Sequence, residues 1–289
     1  MKINNRNIRK VLCESQMHLK AHGVDSFKVD SYILLSKVLK LDNYGDLLLY
    51  LNKNISLVDY NIYQILLKRR LQHEPIAYIV NNKSFWKQNF IVGKEVLIPR
   101  PETELIIEVA LQILTKAIGQ KLNILDLGTG SGCIILSLLL EFKSSRGIAI
   151  DYCNKTLEIA KINAGKFGIC DRVVFLKSDW FAELNPKKKF DVIVSNPPYI
   201  CIDQWRCLKK DVKYFEPKNA LTDNKDGLKN YKIIAKNAVR FMRKNSILIL
   251  EIGYNQEERV KNIFTSNTYK IKFYKDLQKI NRVALVTIC

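Results

Sequence analysis

The sequence predicts an α/β protein in which a small helical domain and a β-hairpin connector precede a mostly parallel, seven-stranded sheet with an antiparallel edge strand. Apolar residues recur at helical spacing over roughly the first 74 residues, β-rich runs separated by turn residues follow, and helical and strand patterns then alternate. Such alternation is typical of a doubly wound sheet with helices on both faces. The predicted boundaries are 1–75 for the helical domain, 76–98 for the connector and 99–289 for the α/β domain.

The helical domain contains three amphipathic patterns, over residues 8–23, 30–41 and 57–73. Gly23 and Gly45 separate them, and Pro75 ends the last because proline cannot continue a helix. In the connector, the β-rich runs are "AYIV", "FWKQNFIV" and "VLIPR". Turn residues separate these runs, which predicts a hairpin.

In the α/β domain, strand patterns alternate with helical ones. The predicted strands cover residues 122–128, 147–151, 172–179, 190–196, 246–252, 269–276 and 282–288. The predicted helices cover residues 103–117, 133–142, 154–168, 227–242 and 256–266. Because the last two strands follow each other without a helix, they predict an antiparallel pair at one edge of the sheet.

The composition indicates a globular protein of the cytoplasm. The chain has 289 residues, is 47% hydrophobic, and contains no apolar run as long as a membrane span. The N-terminal "MKINNRNIRKVLCES" has no apolar signal-peptide core, which favours a cytoplasmic location. The formal net charge is +19, but most of the basic residues are lysines spread along the whole chain. Nucleic acid is therefore not a required partner, although the charge allows weak contacts with RNA, the ribosome or an acidic protein.

The cysteines and histidines predict neither a metal site nor a disulfide framework. An odd number of cysteines without a CxxC pair is typical of reduced thiols, and the seven are Cys13, Cys133, Cys153, Cys170, Cys201, Cys207 and Cys289. His18 and His22 have i, i+4 spacing, but no further ligand lies at a suitable spacing. The third histidine is His73, so chemistry in the α/β domain has to proceed without imidazole.

A glycine-rich turn joins the first strand of the α/β domain to a helix in "NILDLGTGSGCIILSLLL". Asp126 ends the strand, and the turn consists of Gly128, Thr129, Gly130, Ser131 and Gly132. Glycines permit a tight turn and close approach of a ligand, and the helix N-terminus offers free N–H groups. The next strand ends in Asp151, at the distance along the chain where an acid reaches ribose hydroxyls in nucleotide-binding folds. Together these features predict a nucleoside cofactor.

Asp179 and Trp180 follow the third strand. A carboxylate can accept a hydrogen bond from an adenine amino group, and an indole can cover the adenine face. Packing at the rim of the core is the alternative role for Trp180. Both NAD and S-adenosylmethionine fit the turn and these two residues, so the choice depends on the next motif.

The fourth strand ends in the motif Asn196, Pro197, Pro198 and Tyr199. In an amide or an exocyclic base amine, the nitrogen lone pair is delocalised and a poor nucleophile. Two acceptors that each bind one N–H can turn the lone pair toward an electrophile, and Asn196 Oδ1 and the Pro197 carbonyl are suited to that task. The prolines fix the backbone and Tyr199 offers a face for stacking. Because this motif follows the glycine turn and Asp151, the sequence predicts N-methylation that uses S-adenosylmethionine and needs no metal.

The sequence resembles the peptide chain release factor glutamine methyltransferases (the PrmC, or HemK, family) over almost its whole length. The resemblance depends on "EPIAYIVNNKSFWKQNFIVGKEVLIPRPETELIIE", "DLGTGSG", "KSDWF", "SNPPYI", "FEP" and "NRV", of which "IPRPETE" together with NPPY is highly specific. It implies a Rossmann-like class I S-adenosylmethionine methyltransferase domain. It also implies methylation of the glutamine amide in the GGQ motif of class I release factors, with a helical N-terminal domain that helps to dock this partner.

The resemblance implies roles for individual residues. Gly128 to Gly132 would wrap the methionine part of the cofactor, Asp151 would bind the ribose and Trp180 would line the adenine pocket. Asn196 to Tyr199 would hold the target glutamine, and Asn196 would also contact the cofactor. Arg100 and Glu102 would lie near the cofactor, and an ion pair or a helix cap is the alternative for them.

Two segments depart from the family pattern. "VNN" at residues 80–82 stands where a glycine turn is usual, and "KDLQKINRV" keeps Asp276 and Arg282 but lacks a glycine after the aspartate.

Two rival functions are an adenine- or guanine-amine methyltransferase acting on RNA or DNA, and a non-catalytic cofactor-binding protein. The first requires a base-flipping pocket and a target-recognition insert, and no such insert interrupts the α/β domain. The second is expected to lose Asn196 or the glycine turn, and both are present.

Overall fold

The computed structural model describes residues 6–115, 119–265 and 269–288. Two predicted helices end outside the described residues, one at residues 116–117 and the other at Ser266. Cys289 and the segment before residue 6 also lie outside them. The chain divides into two compact units, Met1–Asn81 with Lys209–Phe215 and Asn82–Leu208 with Glu216–Cys289. Within the described residues, none of the helices is long and apolar enough to cross a membrane.

The first unit is helical. Its N-terminal helices are α1 (Ile8–Ala21), α2 (Phe27–Val38), α3 (Leu57–Leu71) and α4 (Ile76–Val80), with a 3₁₀ helix at Tyr44–Tyr50. Helix α3 begins where the Ser56 side chain accepts a hydrogen bond from the Asp59 N–H at 3.0 Å, as an N-cap does. The apolar faces of these helices enclose one core, which includes Leu19, Leu34 and Tyr63.

Helix α4 differs from the prediction, because "AYIV" is helical and does not belong to a strand. Pro75 stands at its N-cap, a position that needs no free N–H, and Asn81 ends the helix in the left-handed region at φ 54°. Asparagine tolerates this conformation better than most side chains, which explains how "VNN" replaces the family's glycine turn. The hairpin is correspondingly shorter and pairs β1 (Lys83–Phe85) with β2 (Gln88–Phe90).

The second unit contains the predicted seven-stranded sheet. Its strands are β3 (Asn123–Leu127), β4 (Arg146–Asp151), β5 (Val173–Lys177), β6 (Phe190–Ser195), β7 (Met242–Glu251), β8 (Tyr269–Lys275) and β9 (Asn281–Ile288). The strand order is β5-β4-β3-β6-β7-β9-β8. Strand β9 pairs antiparallel with both β7 and β8, and the other neighbouring strands are parallel. The prediction of a mostly parallel sheet with antiparallel pairing at one edge is confirmed.

Helices cover both faces of this sheet. The covering helices are α5 (Glu104–Ile113), α6 (Cys133–Glu141), α7 (Asn154–Lys166), α11 (Lys229–Ala238) and α12 (Glu257–Phe264). The short helices α8 (Ile202–Arg206) and α10 (Lys218–Leu221) lie between β6 and α11 in the chain, and α9 (Lys210–Phe215) belongs to the first unit. Along β3, Ile124 packs into the core beneath α5 and α6, and Leu125 and Leu127 pack into the core beneath α11 and α12. This alternation of side chains is what a doubly wound sheet requires.

Two differences from the predicted elements concern the C-terminal half. Helix α11 ends at Ala238, and Met242 already belongs to β7 because it pairs with Phe190 of β6. The short helices α8, α9 and α10 were not predicted, since each is too short to show a periodic apolar pattern.

Asp276 organises the turn between β8 and β9. Its carboxylate accepts hydrogen bonds from the N–H groups of Gln278 and Ile280 and from Arg282 Nε, at 2.9, 3.0 and 3.3 Å. Lys279 adopts a positive φ of 63° in this turn. The carboxylate therefore holds together a turn that lacks the family's glycine after the aspartate.

Candidate active site

Strand register brings the sequence motifs of the second unit to one edge of the sheet. Leu127, at the end of β3, lies opposite Ile150 of β4 on one side and Ser195 of β6 on the other. Ser195 Oγ donates to the Leu127 carbonyl at 2.7 Å, which ties the two strand ends together. The glycine turn and the Asn196–Tyr199 segment therefore start side by side at the carboxyl ends of parallel strands, where ligands bind in such sheets.

The glycine turn is held against β4. The N–H groups of Gly128 and Thr129 both donate to the Ile150 carbonyl, at 2.9 and 2.8 Å. Gly128 and Gly130 have positive φ values of 74° and 57°, and the space that a Cβ would enter at each is open. Gly132, at φ 82°, differs because a Cβ there would lie 2.9 Å from Leu136 Cδ1. Gly132 therefore allows α6 to pack closely, while Gly128 and Gly130 leave room for a ligand.

Asp151 connects the second strand end to this turn. Its Oδ2 accepts from the Gly130 N–H at 3.1 Å, and its Oδ1 accepts from the Cys153 N–H at 3.1 Å. Burial raises the pKa of Asp151, and its hydrogen bonds with backbone N–H groups oppose that rise. Asp151 thus fastens the end of β4 to the glycine turn.

Asp126 is fully buried beneath the glycine turn, and its Oδ2 accepts from Thr129 Oγ1 at 2.7 Å. Loss of hydration raises its pKa from 3.8 to about 7, and the Thr129 hydroxyl opposes that rise. The folded protein therefore binds a proton here that the unfolded chain has released at the same pH. Asp126 therefore makes its full contribution to the free energy of unfolding below pH 3.8, and that contribution is lost as the pH rises through about 7.

Asp126→Asn is expected to flatten the pH dependence of stability. In the wild type, Asp126 should lower the free energy of unfolding by about 1–2 kcal/mol as the pH rises from about 5.5 to about 7. Urea denaturation at several pH values measures this change. The control Asp171→Asn removes an exposed carboxylate of the same unit and should keep the wild-type slope. An Asp126→Asn variant with an unchanged slope would contradict the assignment.

A cavity of about 350 Å³ opens at this edge of the sheet. The predicted residues that line it are Gly128, Thr129, Gly130, Ser131, Asp151, Asp179, Trp180, Asn196 and Pro198. Asp179 is exposed at its rim, and Trp180 is half-buried. Gly132 packs beneath α6, Pro197 is buried, and the Tyr199 ring packs against the core on the α11 side of the sheet. The structure thus gathers residues from four separate segments around one space.

The Asn196 side chain has a defined partner for only one of its two ends. Its Nδ2 donates to Thr103 Oγ1 at 3.3 Å. Within the described residues, neither Asn196 Oδ1 nor the Pro197 carbonyl has a hydrogen-bond partner. The carbonyls of Pro198 and Tyr199, in contrast, accept from Asn230 Nδ2 at 2.8 Å and Gln256 Nε2 at 2.9 Å. Two acceptors of the motif therefore remain available, and they are the two that the sequence predicts for an amide N–H₂ group.

Glu251, at the end of β7, is buried and joins two parts of the site. Its Oε2 accepts from Thr103 Oγ1 at 2.6 Å, and its Oε1 accepts from the Tyr199 hydroxyl at 3.0 Å. Burial and the neighbouring Glu251 carboxylate raise the pKa of Tyr199 well above its ordinary value. Tyr199 is therefore a neutral phenol at physiological pH and does not accept a proton there.

Sequence reasoning missed the residues that surround Tyr199. Gly227 lies so close that a Cβ would be 2.2 Å from the Tyr199 carbonyl oxygen, and at Gly253 a Cβ would be 2.9 Å from Tyr199 Cδ2. Gln256, at the start of α12, binds the same carbonyl. An isolated glycine in "DG" or "EIG" indicates only a turn, so no local pattern could have identified these contacts.

Gly227→Ala is expected to destabilise the protein more than a glycine with similar backbone geometry does. Both Gly227 (φ 78°) and Gly168 (φ 68°) need the left-handed region, but only Gly227 touches the Tyr199 carbonyl. Gly168→Ala should cost about 1–2 kcal/mol of stability from backbone strain. Gly227→Ala should cost roughly 3 kcal/mol or more and lower activity, because the motif has to shift. Equal costs in urea denaturation would show that the contact is unimportant.

Arg100 combines the two roles considered for it. It lines the cavity and forms an ion pair with Glu216, with Nη2 2.5 Å from Oε1. Glu216 Oε2 also accepts from the Ile98 N–H at 3.1 Å. The ion pair thus anchors "IPRPETE" to "FEP". Glu102 is half-buried in the 3₁₀ helix Pro101–Thr103 that precedes α5.

Two family models match the chain. The model of the PrmC N-terminal domain covers residues 11–80, and a model of a methyltransferase domain covers residues 118–284. A methyltransferase from Pyrococcus furiosus of known structure superposes with a TM-score of 0.52 over 76% of this chain and 96% of its own, at 18% identity. At that identity the likeness shows a shared fold.

Curated relatives are similar over nearly the whole chain. The bifunctional methyltransferase of Rickettsia felis is 40% identical over 96% of this chain and 58% of its own length, so the chain spans little more than half of that relative. The release factor glutamine methyltransferase of Buchnera aphidicola subsp. Acyrthosiphon pisum is 38% identical over 96% of this chain and 98% of its own length.

Proposed function

The chain belongs to the release factor glutamine methyltransferase family, and on that premise we propose that it methylates the side-chain amide nitrogen of a release-factor glutamine, with S-adenosylmethionine as the donor. The target is the glutamine in the GGQ motif of class I release factors, and the reaction supports translation termination. A cytoplasmic location belongs to the same proposal.

One observation carries the proposal. Asn196 Oδ1 and the Pro197 carbonyl are without partners among the described residues, while Asn196 Nδ2, the Tyr199 hydroxyl and the carbonyls of Pro198 and Tyr199 are engaged. A primary amide has two N–H hydrogens, and two acceptors at the end of one strand can bind both. The prolines hold the second acceptor in place because they fix φ and carry no N–H.

The residues of the cavity fit S-adenosylmethionine. The open turn at Gly128 and Gly130 allows close approach, and Asp151 can accept from ribose hydroxyls. Asn196 and Pro198 line the same cavity as the turn, so a methyl donor suits this site better than NAD does. Trp180 and Asp179 at the rim can cover and bind the adenine.

The residues of this chain catalyse by positioning. When bound, S-adenosylmethionine supplies a methyl group on a positively charged sulfur, which is a good electrophile. Asn196 Oδ1 and the Pro197 carbonyl hold the two N–H hydrogens of the target amide, so that its lone pair leaves conjugation with the carbonyl. Tyr199 provides a flat face for the amide plane. Such orientation can contribute on the order of 7 kcal/mol to lowering the barrier.

No general base is needed for this reaction. The amide nitrogen would gain the methyl group as the C–S bond breaks and leaves its electrons on sulfur, and the positively charged nitrogen would then lose a proton to water. The neutral Tyr199 phenol donates its hydrogen to Glu251, so it stays out of the proton transfer. The three histidines, His18, His22 and His73, all belong to the first unit.

The helical domain, residues 1–75, is proposed to dock the release factor, with residues 76–98 as the connector and 99–289 as the catalytic domain. Helix α3 supports this role, because Val58, Ile62 and Ile65 recur at i, i+4 and i+7 and are exposed to 68%, 44% and 63%. Exposed apolar side chains at this spacing form one stripe along a helix, as interaction surfaces often do.

The proposal is tested by incubating the protein with methyl-labelled S-adenosylmethionine and a class I release factor. Label is expected on the release factor, and none on a matched release factor whose loop glutamine is replaced. Ribosomal RNA and DNA are offered in parallel reactions. Label on either nucleic acid, with the release factor unmodified, would overturn the proposal in favour of an exocyclic-amine methyltransferase.

A further inference from the structure

Thr103, Glu251, Asn196 and Tyr199 form one hydrogen-bonded chain through the buried end of β7. We infer that Thr103 and Glu251 are positioning residues that set which end of the Asn196 amide faces the substrate, an inference that rests on the proposed function. Neither residue belongs to the NPPY motif. Thr103 is 93 residues away from Asn196 in the sequence, and the two are joined by a hydrogen bond of 3.3 Å.

The hydroxyl of Thr103 decides the orientation of the amide. A hydroxyl has one hydrogen, and Thr103 donates it to Glu251 Oε2 at 2.6 Å. Toward Asn196 the hydroxyl can then only accept, so the NH₂ end of the amide must face it. Asn196 Oδ1 is consequently turned away from Thr103 and is available as an acceptor.

The opposite orientation would disable the site. With the amide flipped, an NH₂ group would face the N–H hydrogens of the target amide, and donor would meet donor. The Asn196 oxygen would also face a hydroxyl whose hydrogen is already bound to Glu251. The orientation therefore determines whether Asn196 can draw an amide N–H toward itself, although either orientation fills the same volume.

Burial raises the pKa of Glu251, while the hydrogen bonds from Thr103 and Tyr199 favour the ionised carboxylate that accepts from both. Glu251 and Thr103 are exposed to only 1% and 2%, so water does not compete for their hydrogen bonds. The second carboxylate oxygen accepts from the Tyr199 hydroxyl, and the Glu251 carbonyl accepts from the Tyr231 hydroxyl at 3.0 Å. The Glu251 carboxylate therefore holds both polar side chains of the motif. It holds the Asn196 amide through Thr103 and binds the Tyr199 hydroxyl directly.

The inference is tested by removing the hydroxyl without changing the shape of the side chain. Thr103→Val is expected to lower kcat on the release factor about tenfold, because both amide orientations become accessible. Its KM for the release factor and its Kd for S-adenosylmethionine should stay within about threefold of wild type. Thr103→Ser keeps the hydroxyl and should restore most of kcat. Thermal unfolding of each variant reports whether the fold is retained.

A double-variant cycle separates positioning from a general structural effect. If Thr103 acts through Asn196, Thr103→Val should change the residual single-turnover rate of Asn196→Ala by less than about twofold. A tenfold loss in both backgrounds, or an unchanged kcat in Thr103→Val alone, would overturn the inference.

A spectroscopic measurement decides the question without any substrate. The side-chain amide signal of Asn196, assigned in a ¹⁵N spectrum by its loss in Asn196→Ala, should move in Thr103→Val and stay in place in Thr103→Ser. If the signal does not move in Thr103→Val, the inference fails. If the wild type methylates no release factor, the proposed function fails, and the amide signal still shows whether Thr103 orients Asn196.

Discussion

Asn196→Ala is expected to lower the rate of methyl transfer by roughly 100- to 1,000-fold while S-adenosylmethionine affinity stays within about threefold of wild type. The side chain lines the cavity, its Nδ2 is bound to Thr103, and its oxygen is without a partner among the described residues. Removing the side chain takes away one of the two acceptors that turn the amide nitrogen toward the methyl group. The glycine turn and Asp151, which we propose bind the cofactor, stay in place.

The comparison needs turnover, cofactor affinity and stability measured on the same preparations. Rapid-quench assays give the transfer rate, and calorimetry gives the Kd of the cofactor. Asn237→Ala is a matched control, because among the described residues this amide on α11 donates only to the Ile233 carbonyl of its own helix, at 2.9 Å. The control should keep wild-type turnover. If Asn196→Ala also keeps it, the two-acceptor mechanism is wrong.

Asp151→Ala is expected to weaken S-adenosylmethionine binding by roughly 100-fold. The carboxylate binds the Gly130 and Cys153 N–H groups and is proposed to bind the ribose, and hydrogen bonds to a charged group are worth about 1.5–3 kcal/mol each. Its loss removes the ribose contact and one of the hydrogen bonds that hold the glycine turn against β4. At saturating cofactor, the transfer rate should fall much less than the affinity.

Calorimetric titration measures this change directly. Asp151→Asn keeps an acceptor and the size of the side chain, so its Kd should lie between those of wild type and Asp151→Ala. The exposed Asp171, replaced by alanine, provides the control for loss of a carboxylate from the same unit. Equal affinities of wild type and Asp151→Ala would exclude Asp151 from the cofactor site.

The sheet could be predicted from the sequence because each buried strand is a short apolar run between turn residues. The alternation of these runs with helices also predicted parallel pairing, and the two final strands predicted the antiparallel edge. The sequence could not show that β9 lies between β7 and β8, because strand order depends on packing and not on chain order. Helix α4 was misread as a strand, because "AYIV" is rich in residues that favour strands.

In the candidate site, too, the sequence predicted some residues and gave no sign of others. Gly128, Asp151 and Asn196 stand at strand ends, so the sequence predicted that they would meet, and the structure brings them to one cavity. Glu251 ends a strand as well, but a buried carboxylate within "ILILEIG" gives no sign of its partners. Its bond to Thr103 spans 148 residues, and only the folded chain reveals it.

Methylation of a glutamine amide on a release factor is the function that we propose for the chain. The most direct measurement is peptide mass spectrometry of a release factor after incubation with S-adenosylmethionine and either the wild-type chain or its Asn196→Ala variant. We expect one added methyl group on the side-chain nitrogen of the GGQ glutamine with the wild type, and almost none with the variant. A methyl group on another residue, or equal methylation by both proteins, would contradict the proposal.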